Sequence, residues 1–178
     1  MITANQKLLV LDIDETLIYA SAFPLQRQEH FRLGLAYAWF RPGAHKFITT
    51  CQQHYSVGVW SSATREYVAD LCAHLRFPFE SLAFIWTRER CVNGANTLTG
   101  ELCRLKQFRL LLDLGYLAAA ITIVDDEPGC WLDCTGRLIA IPKFKGDPAD
   151  RELYLLLEQL KAEWRTEDQS RPGLTAES

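Results

Sequence analysis

At 178 residues, 48% of them apolar and 23% charged, the chain has the composition of a globular protein and the length for one domain with a substantial core. A formal net charge of −3 gives no general attraction to nucleic acid. There is no basic, then apolar, leader at the N-terminus and no apolar run long enough to span a membrane, so the expectation is a cytoplasmic monomer. Cys51, Cys72, Cys91, Cys103, Cys130 and Cys134 form no C-x-x-C, and no histidine stands at zinc-like spacing from a pair of them. Free thiols are expected, with Cys51 and Cys72 on apolar helix faces and Cys130 and Cys134 four apart on a helical face.

The first element is a short apolar strand, Leu8 to Leu11, ending in Asp12 and Asp14. Runs this short, bounded by polar residues, read as buried strands of a parallel sheet. Residues i and i+2 of an extended chain face the same way, so the two carboxylates share a face at a strand's carboxyl end. An acidic turn after a strand is the plain alternative. Residues 19–40 read as a hairpin or small flap. Phe40-Arg41-Pro42-Gly43 opens a helix running to about His54 that buries Phe47, Ile48 and Cys51. Val57 to Trp60 is a second strand, ending in Ser61-Ser62. Thr64 caps a helix that buries Tyr67, Val68, Leu71 and Leu75. Ala83 to Trp86 is a third strand. Residues 87–103 read as an irregular excursion with turns at Asn93-Gly94 and Thr99-Gly100. A helix is predicted from about Leu105 to Leu114, closed by Gly115, with Lys106 in its first turn. Ile121 to Val124 is a fourth strand, ending in Asp125-Asp126. A short helix over 128–133 and a strand from Leu138 to Ile141 follow. Asp147-Pro148 opens the last helix, with Leu153, Leu156, Leu157, Leu160 and Trp164 on its apolar face. Residues 166–178 are polar and read as a disordered tail, which leaves a single domain over 1–165.

Strands alternating with helices predict an α/β fold with a mainly parallel sheet. Such sheets bind ligands beyond the carboxyl ends of their strands. Asp12, Asp14, Ser61, Asp125 and Asp126 end three strands, and Lys106 precedes one of them. Four carboxylates at one edge, with Glu15 and Glu127 beside them, need a cation to stay ionised together. Hard oxygen donors suit Mg²⁺, which usually serves a phosphate. A lysine and a serine hydroxyl supply the positive charge and the donor that a phosphoryl group needs.

These residues resemble the four motifs of the haloacid dehalogenase (HAD) superfamily of phosphatases. Asp12-Ile13-Asp14-Glu15-Thr16 matches D-x-D-x-T, Ser61 the second motif, Lys106 the third, and Asp125-Asp126 the fourth. Within the superfamily the chain is most similar, over about residues 7–142, to the NIF-like phosphatases acting on the C-terminal domain of RNA polymerase. That similarity rests on Asp12 to Leu17, on Phe40-Arg41-Pro42-Gly43 with Phe47, and on Val59-Trp60-Ser61-Ser62-Ala63. Many of these enzymes have Asp-Asn where this chain has Asp125-Asp126, and residues 87–103 match no familiar insert.

The resemblance implies a HAD-like Rossmannoid three-layer sandwich without a large cap domain, and a two-step mechanism. Asp12 is then the nucleophile and Asp14 the general acid and base. Mg²⁺ is held by Asp12, the main-chain carbonyl of Asp14, and a carboxylate of Asp125-Asp126, with Asp126 favoured. Ser61 or Ser62 and Lys106 hold the phosphoryl oxygens, and Thr16 fixes the turn that positions Asp14. The expected substrate is a phosphoserine or phosphothreonine protein. A phosphorylated metabolite and a nucleic-acid end phosphate are the alternatives within the same chemistry; the locally basic stretch 88–109 suits an anionic substrate, but reads first as a solvated face, and charge alone does not choose. A non-catalytic HAD-like binding module is the alternative outside it.

Overall fold

A computed structural model describes residues 6–75 and 81–170. Its centre is a five-stranded parallel sheet. The strands are β1 (Leu8–Leu11), β5 (Ser56–Trp60), β6 (Phe84–Trp86), β9 (Ile121–Asp125) and β11 (Arg137–Ala140), in the order β11-β9-β1-β5-β6. All four residues of β1 are buried, as a central strand covered on both faces requires. The pleat sends Leu9 and Leu11 to one face, against α1 (Ala44–Cys51), α2 (Arg65–Leu75) and α4 (Glu152–Ser170). Leu8 and Val10 go to the other face, against Phe108, Leu111 and Trp131. Three layers result. Leu11 pairs with Val59 on one side and Val124 on the other, so Asp12, Ser61 and Asp125 emerge at the same edge.

Two small sheets flank the core. β2 (Ile18–Ser21), β3 (Phe31–Leu33) and β4 (Ala36–Phe40) form an antiparallel sheet in the order β2-β4-β3, where the sequence reads a hairpin or flap. The second sheet corrects the reading of residues 87–114. After a 3₁₀ turn at Arg88–Arg90, β7 (Cys91–Ala95) and β8 (Leu102–Gln107) make an antiparallel hairpin, and β10 (Trp131–Leu132) joins β8 in parallel. Lys106 therefore lies on a strand, and the helix is the short α3 (Arg109–Leu112). Asn93-Gly94 lies inside β7, opposite Arg104 and Cys103. Gly94 is small because the Leu105 side chain lies where its Cβ would be, not because the chain turns there. The turn is at Thr99-Gly100. Gly100 has φ +77°, and Asn96 Oδ1 accepts the amides of Leu98 at 2.9 Å and Thr99 at 3.1 Å, an Asx turn.

Residues 128–133 hold a 3₁₀ turn, Pro128–Cys130, and then β10, so Cys130 and Cys134 share no helical face. Asp147 accepts the Ala149 amide at 2.8 Å within a turn, and the last helix starts at Glu152, whose amide is capped by Asp150 Oδ1 at 3.1 Å. Leu153, Leu156, Leu157, Leu160 and Trp164 are buried along it. The expected tail is helical as far as Ser170; the rest of it, residues 171–178, lies outside the described residues, as does the side chain of Leu75. Among the described residues no helix is long and apolar enough to cross a membrane.

Candidate active site

The loop after β1 is tightly wound. The Ile13 carbonyl accepts the amides of Leu17 at 2.8 Å and Ile18 at 3.1 Å, and Glu15 takes φ +59°. Arg41 holds this loop from behind. Its guanidinium is buried and donates to the Thr16 carbonyl at 3.2 Å, the Pro142 carbonyl at 2.8 Å and both oxygens of Asp150 at 2.9 Å. A planar fork with several donors suits that set, and a lysine would not. Arg41 thus joins the β1 loop, the loop after β11 and the start of α4.

In front of the loop, Lys106 reaches between two strand ends. Its Nζ is 2.6 Å from Asp12 Oδ1 and 2.7 Å from Asp125 Oδ2, all three residues being buried. Trp131 Nε1 donates to Asp125 Oδ2 at 2.9 Å, and the Glu127 amide donates to Oδ1 at 2.7 Å. Burial raises the Asp12 pKa well above the usual carboxylate range; Lys106 opposes this, and Asp125 and Asp14 add to it. Burial alone would lower the Lys106 pKa, but Asp12 and Asp125 more than offset that, so it is raised and the ammonium stays charged.

Asp14 faces a different set of groups. Its Oδ1 accepts the Tyr67 hydroxyl at 2.6 Å, and its Oδ2 lies 3.4 Å from Ser61 Oγ. Burial raises its pKa against the opposing bonds from Tyr67 and Ser61. Ser61 is fully buried and accepts the Ala63 amide at 3.0 Å, which shapes the loop after β5. The exposed neighbour, Ser62, lines the cavity. Thr16 serves Asp126 rather than Asp14: Thr16 Oγ1 donates to Asp126 Oδ1 at 2.7 Å and accepts the Asp126 amide at 3.2 Å. Asp126 Oδ2 has Lys143 at 3.4 Å, and Lys143 also pairs with Glu15 at 3.0 Å and Glu127 at 2.6 Å.

The cavity so formed has a volume of about 330 Å³ and is lined by six carboxylates, Asp12, Asp14, Glu15, Asp125, Asp126 and Glu127, against Arg104, Lys106 and Lys143. Asp12, Asp125 and Asp126 offer oxygens within 4.8 Å of one another. An excess of buried carboxylate with only oxygen donors fits a hard divalent cation such as Mg²⁺. Both Asp125 oxygens already accept bonds, from Lys106, Trp131 and the Glu127 amide. Asp126 Oδ2 has only the looser Lys143 contact, so Asp126 is the better placed of the two to meet a cation directly.

Every residue singled out from the sequence lies at this edge. Arg41, Tyr67, Trp131 and Lys143 also reach it, with no part there that the sequence shows. Tyr67 reads as a buried helix-face residue and Trp131 carries no signal of its own; their single polar atoms are what reach the site. Arg41 carried a signal in Phe40-Arg41-Pro42-Gly43, but its partners lie as far as 109 residues along the chain.

The sequence profile of the NLI interacting factor-like phosphatases matches residues 7–171. The chain is 25% identical over 169 residues to the Caenorhabditis elegans CTD small phosphatase-like protein 1, covering 89% of this chain and 32% of that one. It is 26% identical over 169 residues to a probable C-terminal domain small phosphatase of Dictyostelium discoideum, covering 91% and 52%. It thus spans about a third and about half of these two relatives. Among solved structures, the fission yeast RNA polymerase II CTD phosphatase Fcp1 bound to beryllium fluoride superposes with a TM-score of 0.57 at 18% identity, covering 95% of this chain and 53% of that one. A phosphatase domain from Bacteroides fragilis complexed with Mg superposes with a TM-score of 0.53 at 14% identity, covering 86% and 40%. The five-stranded core is the HAD fold.

Proposed function

The chain belongs to the NLI interacting factor-like phosphatase family, and on that premise we propose that it is a Mg²⁺-dependent phosphomonoesterase that works through an aspartyl-phosphate on Asp12. The observation that carries this reading is Lys106 held between Asp12 and Asp125, with Asp14 two residues on in a separate hydrogen-bonding environment.

Lys106 occupies Asp12 Oδ1, which leaves Oδ2 to attack phosphorus as the ester P–O bond breaks. Asp14 gives its proton to the departing alcohol oxygen; its raised pKa keeps that proton available above the usual carboxylate range. In the second step Asp14 takes a proton from the water that attacks the aspartyl-phosphate, and the P–O bond to Asp12 breaks. Acid–base help of this kind contributes ~10²–10⁴-fold. Lys106, with Ser62 at the cavity and Ser61 behind it, offers charge and donors to the phosphoryl oxygens. Mg²⁺ held by Asp12, the Asp14 carbonyl and Asp126 would supply Lewis-acid neutralisation, so that an anionic carboxylate can approach an anionic phosphate.

A phosphoserine or phosphothreonine protein is the substrate this reading favours. The relatives' names support it, as does the small extent of the β2–β4 sheet and of the β7–β8 hairpin, neither of which makes a large cap over the cavity among the described residues. The test is turnover of p-nitrophenyl phosphate, then of phosphopeptides, phosphosugars and 3′-phosphorylated oligonucleotides, with Mg²⁺ and with chelator. Metal-dependent turnover with preference for phosphopeptides is expected. Asp12→Asn should abolish turnover with an unchanged circular dichroism spectrum, and near-wild-type rates in that variant would overturn the mechanism.

A further inference from the structure

Of the six thiols, two meet. Cys103 Sγ on β8 and Cys130 Sγ at the end of the 3₁₀ turn lie 2.9 Å apart, 27 residues apart in sequence. A disulfide has S–S of about 2.05 Å, so a further approach of roughly 0.9 Å would form one. Both side chains line the cavity that holds Asp12 and Lys106, so a small oxidant entering it reaches them. The other thiols are placed differently. Cys51 and Cys72 pack into the apolar core around α1 and α2, while Cys91 and Cys134 turn toward the backbone carbonyls of Thr87 and Gly136.

We propose that Cys103 and Cys130 are a peroxide-sensitive dithiol that closes to a disulfide in the wall of the catalytic cavity and lowers turnover. The effect on turnover rests on the phosphatase reading above; the cross-link does not.

The partners divide the chemistry. Cys130 is buried and Cys103 partly exposed, so Cys103 meets the oxidant first. Its thiolate attacks one oxygen of hydrogen peroxide; the O–O bond breaks and leaves a sulfenic acid and hydroxide. Cys130 Sγ–H points to Glu127 Oε2 at 3.4 Å, and its proton passes to the sulfenic oxygen as the two sulfurs join. The Cys130 sulfur then attacks the Cys103 sulfur, and the sulfenic oxygen leaves as water. Two thiols and one peroxide give one disulfide and two waters, and the two electrons pass from sulfur to the peroxide.

The cross-link acts on the acidic loop. Cys130 follows Asp125 and Asp126 closely, and its amide donates to the Glu127 carbonyl at 2.9 Å. The β7–β8 turn already grips this segment, through Asn96 Nδ2 to Cys130 Sγ at 3.5 Å and the Thr97 amide to the Gly129 carbonyl at 2.8 Å. Drawing Cys130 onto Cys103 removes its sulfur from Glu127 and Asn96 and shifts the loop that presents the carboxylates. Displacements near 1 Å in catalytic geometry cost on the order of 10²-fold in rate.

The experiment takes the full chain, reduced and desalted, and exposes it to hydrogen peroxide. Free thiols are then alkylated, and the protein is digested without reduction for mass spectrometry. A Cys103–Cys130 linked peptide, two hydrogens lighter than its parts and lost on dithiothreitol, is expected. Turnover of p-nitrophenyl phosphate should fall roughly tenfold or more and return with dithiothreitol, while Cys103→Ser and Cys130→Ser each keep their turnover through the same treatment. Absence of the linked peptide, or equal peroxide sensitivity of both variants and the wild type, overturns the proposal. A linked peptide with unchanged turnover overturns its effect on catalysis. A linked peptide in a chain that shows no turnover even when reduced leaves the disulfide standing and overturns the phosphatase reading instead.

Discussion

Two lysines on different elements, each forming part of a wall of the cavity, reach the same carboxylate cluster. Lys106 contacts Asp12 at 2.6 Å and Asp125 at 2.7 Å; Lys143 contacts Glu127 at 2.6 Å, Glu15 at 3.0 Å and Asp126 at 3.4 Å. By distance the walls are alike. They differ in what surrounds the charge. The Lys106 side chain is 3% exposed and that of Lys143 41%. Lys106 also sits on a strand paired on both sides, opposite Cys91 and Trp131, whereas Lys143 lies in the loop after β11. A charge pair of given length is worth several times more in a dry interior than at a wet surface, and a backbone fixed by two ladders presents its ammonium in one place. The buried wall should therefore do chemistry and the exposed wall should tune it.

The hardest test of that difference is Lys106→Met, which keeps the unbranched apolar stem and removes the charge. Loss of a preorganised cation at the phosphoryl position is expected to lower kcat/KM by ~10²–10³-fold. In chelator, the variant should also lose ~3–5 kcal/mol of stability, because Asp12 and Asp125 are left buried without their cation. Thermal melts with chelator and with Mg²⁺ check the second part: added metal should restore part of the loss. A kcat/KM within tenfold of wild type would put the two walls on an equal footing.

The sequence shows Lys106 as a residue but not the strand it stands on. Leu105, Phe108, Leu111 and Leu112 recur at helical spacing, and a lysine at the start of such a run reads as solvated. Its burial is decided by Asp12 and Asp125, at separations of 94 and 19 residues, which local periodicity cannot report. The parallel sheet was legible for the opposite reason. β1, β5 and β9 are short apolar runs that end in polar residues, and a strand covered on both faces leaves that trace whatever its neighbours. The hairpin β7–β8 left a misleading one, since Asn93-Gly94 has turn chemistry but meets the Leu105 side chain in a ladder. Tyr67 was legible as a face residue of α2 and not as a donor to Asp14, because only the loop after β5 decides where its hydroxyl ends.

Tyr67→Phe probes that missed contact on the buried side, with an intermediate effect. A hydrogen bond to a charged group is worth ~1.5–3 kcal/mol, so kcat/KM for a phosphoserine peptide should fall on the order of tenfold or more. The pH profile carries the sign. The Tyr67 hydroxyl donates to Asp14 and favours its ionised form, opposing the rise that burial imposes. Without that donor Asp14 holds its proton to higher pH. The alkaline limb of kcat/KM, where the free enzyme loses its general acid, should then move to higher pH in the variant. A limb that stays in place or moves to lower pH would remove Asp14 from the role of acid.

Lys143→Gln should do least. Its pairs with Glu15 and Glu127 are more than a third exposed on both sides and the third, with buried Asp126, is the longest at 3.4 Å; exposed pairs contribute ~0–1 kcal/mol after solvent screening, so stability should change by about that and kcat/KM by about threefold at most. What change there is should fade with salt, since the Debye length falls from ~10 Å at 0.1 M to ~3 Å at 1 M. Lys106→Met should keep most of its deficit at both ionic strengths, because buried charges are screened much less than exposed ones. Rates for both variants at the two salt concentrations make the comparison directly. If Lys143→Gln matched Lys106→Met in size and in salt independence, the loop after β11 would have to close over bound substrate and bury its lysine. The exposed wall would then be a moving part of the site rather than its rim.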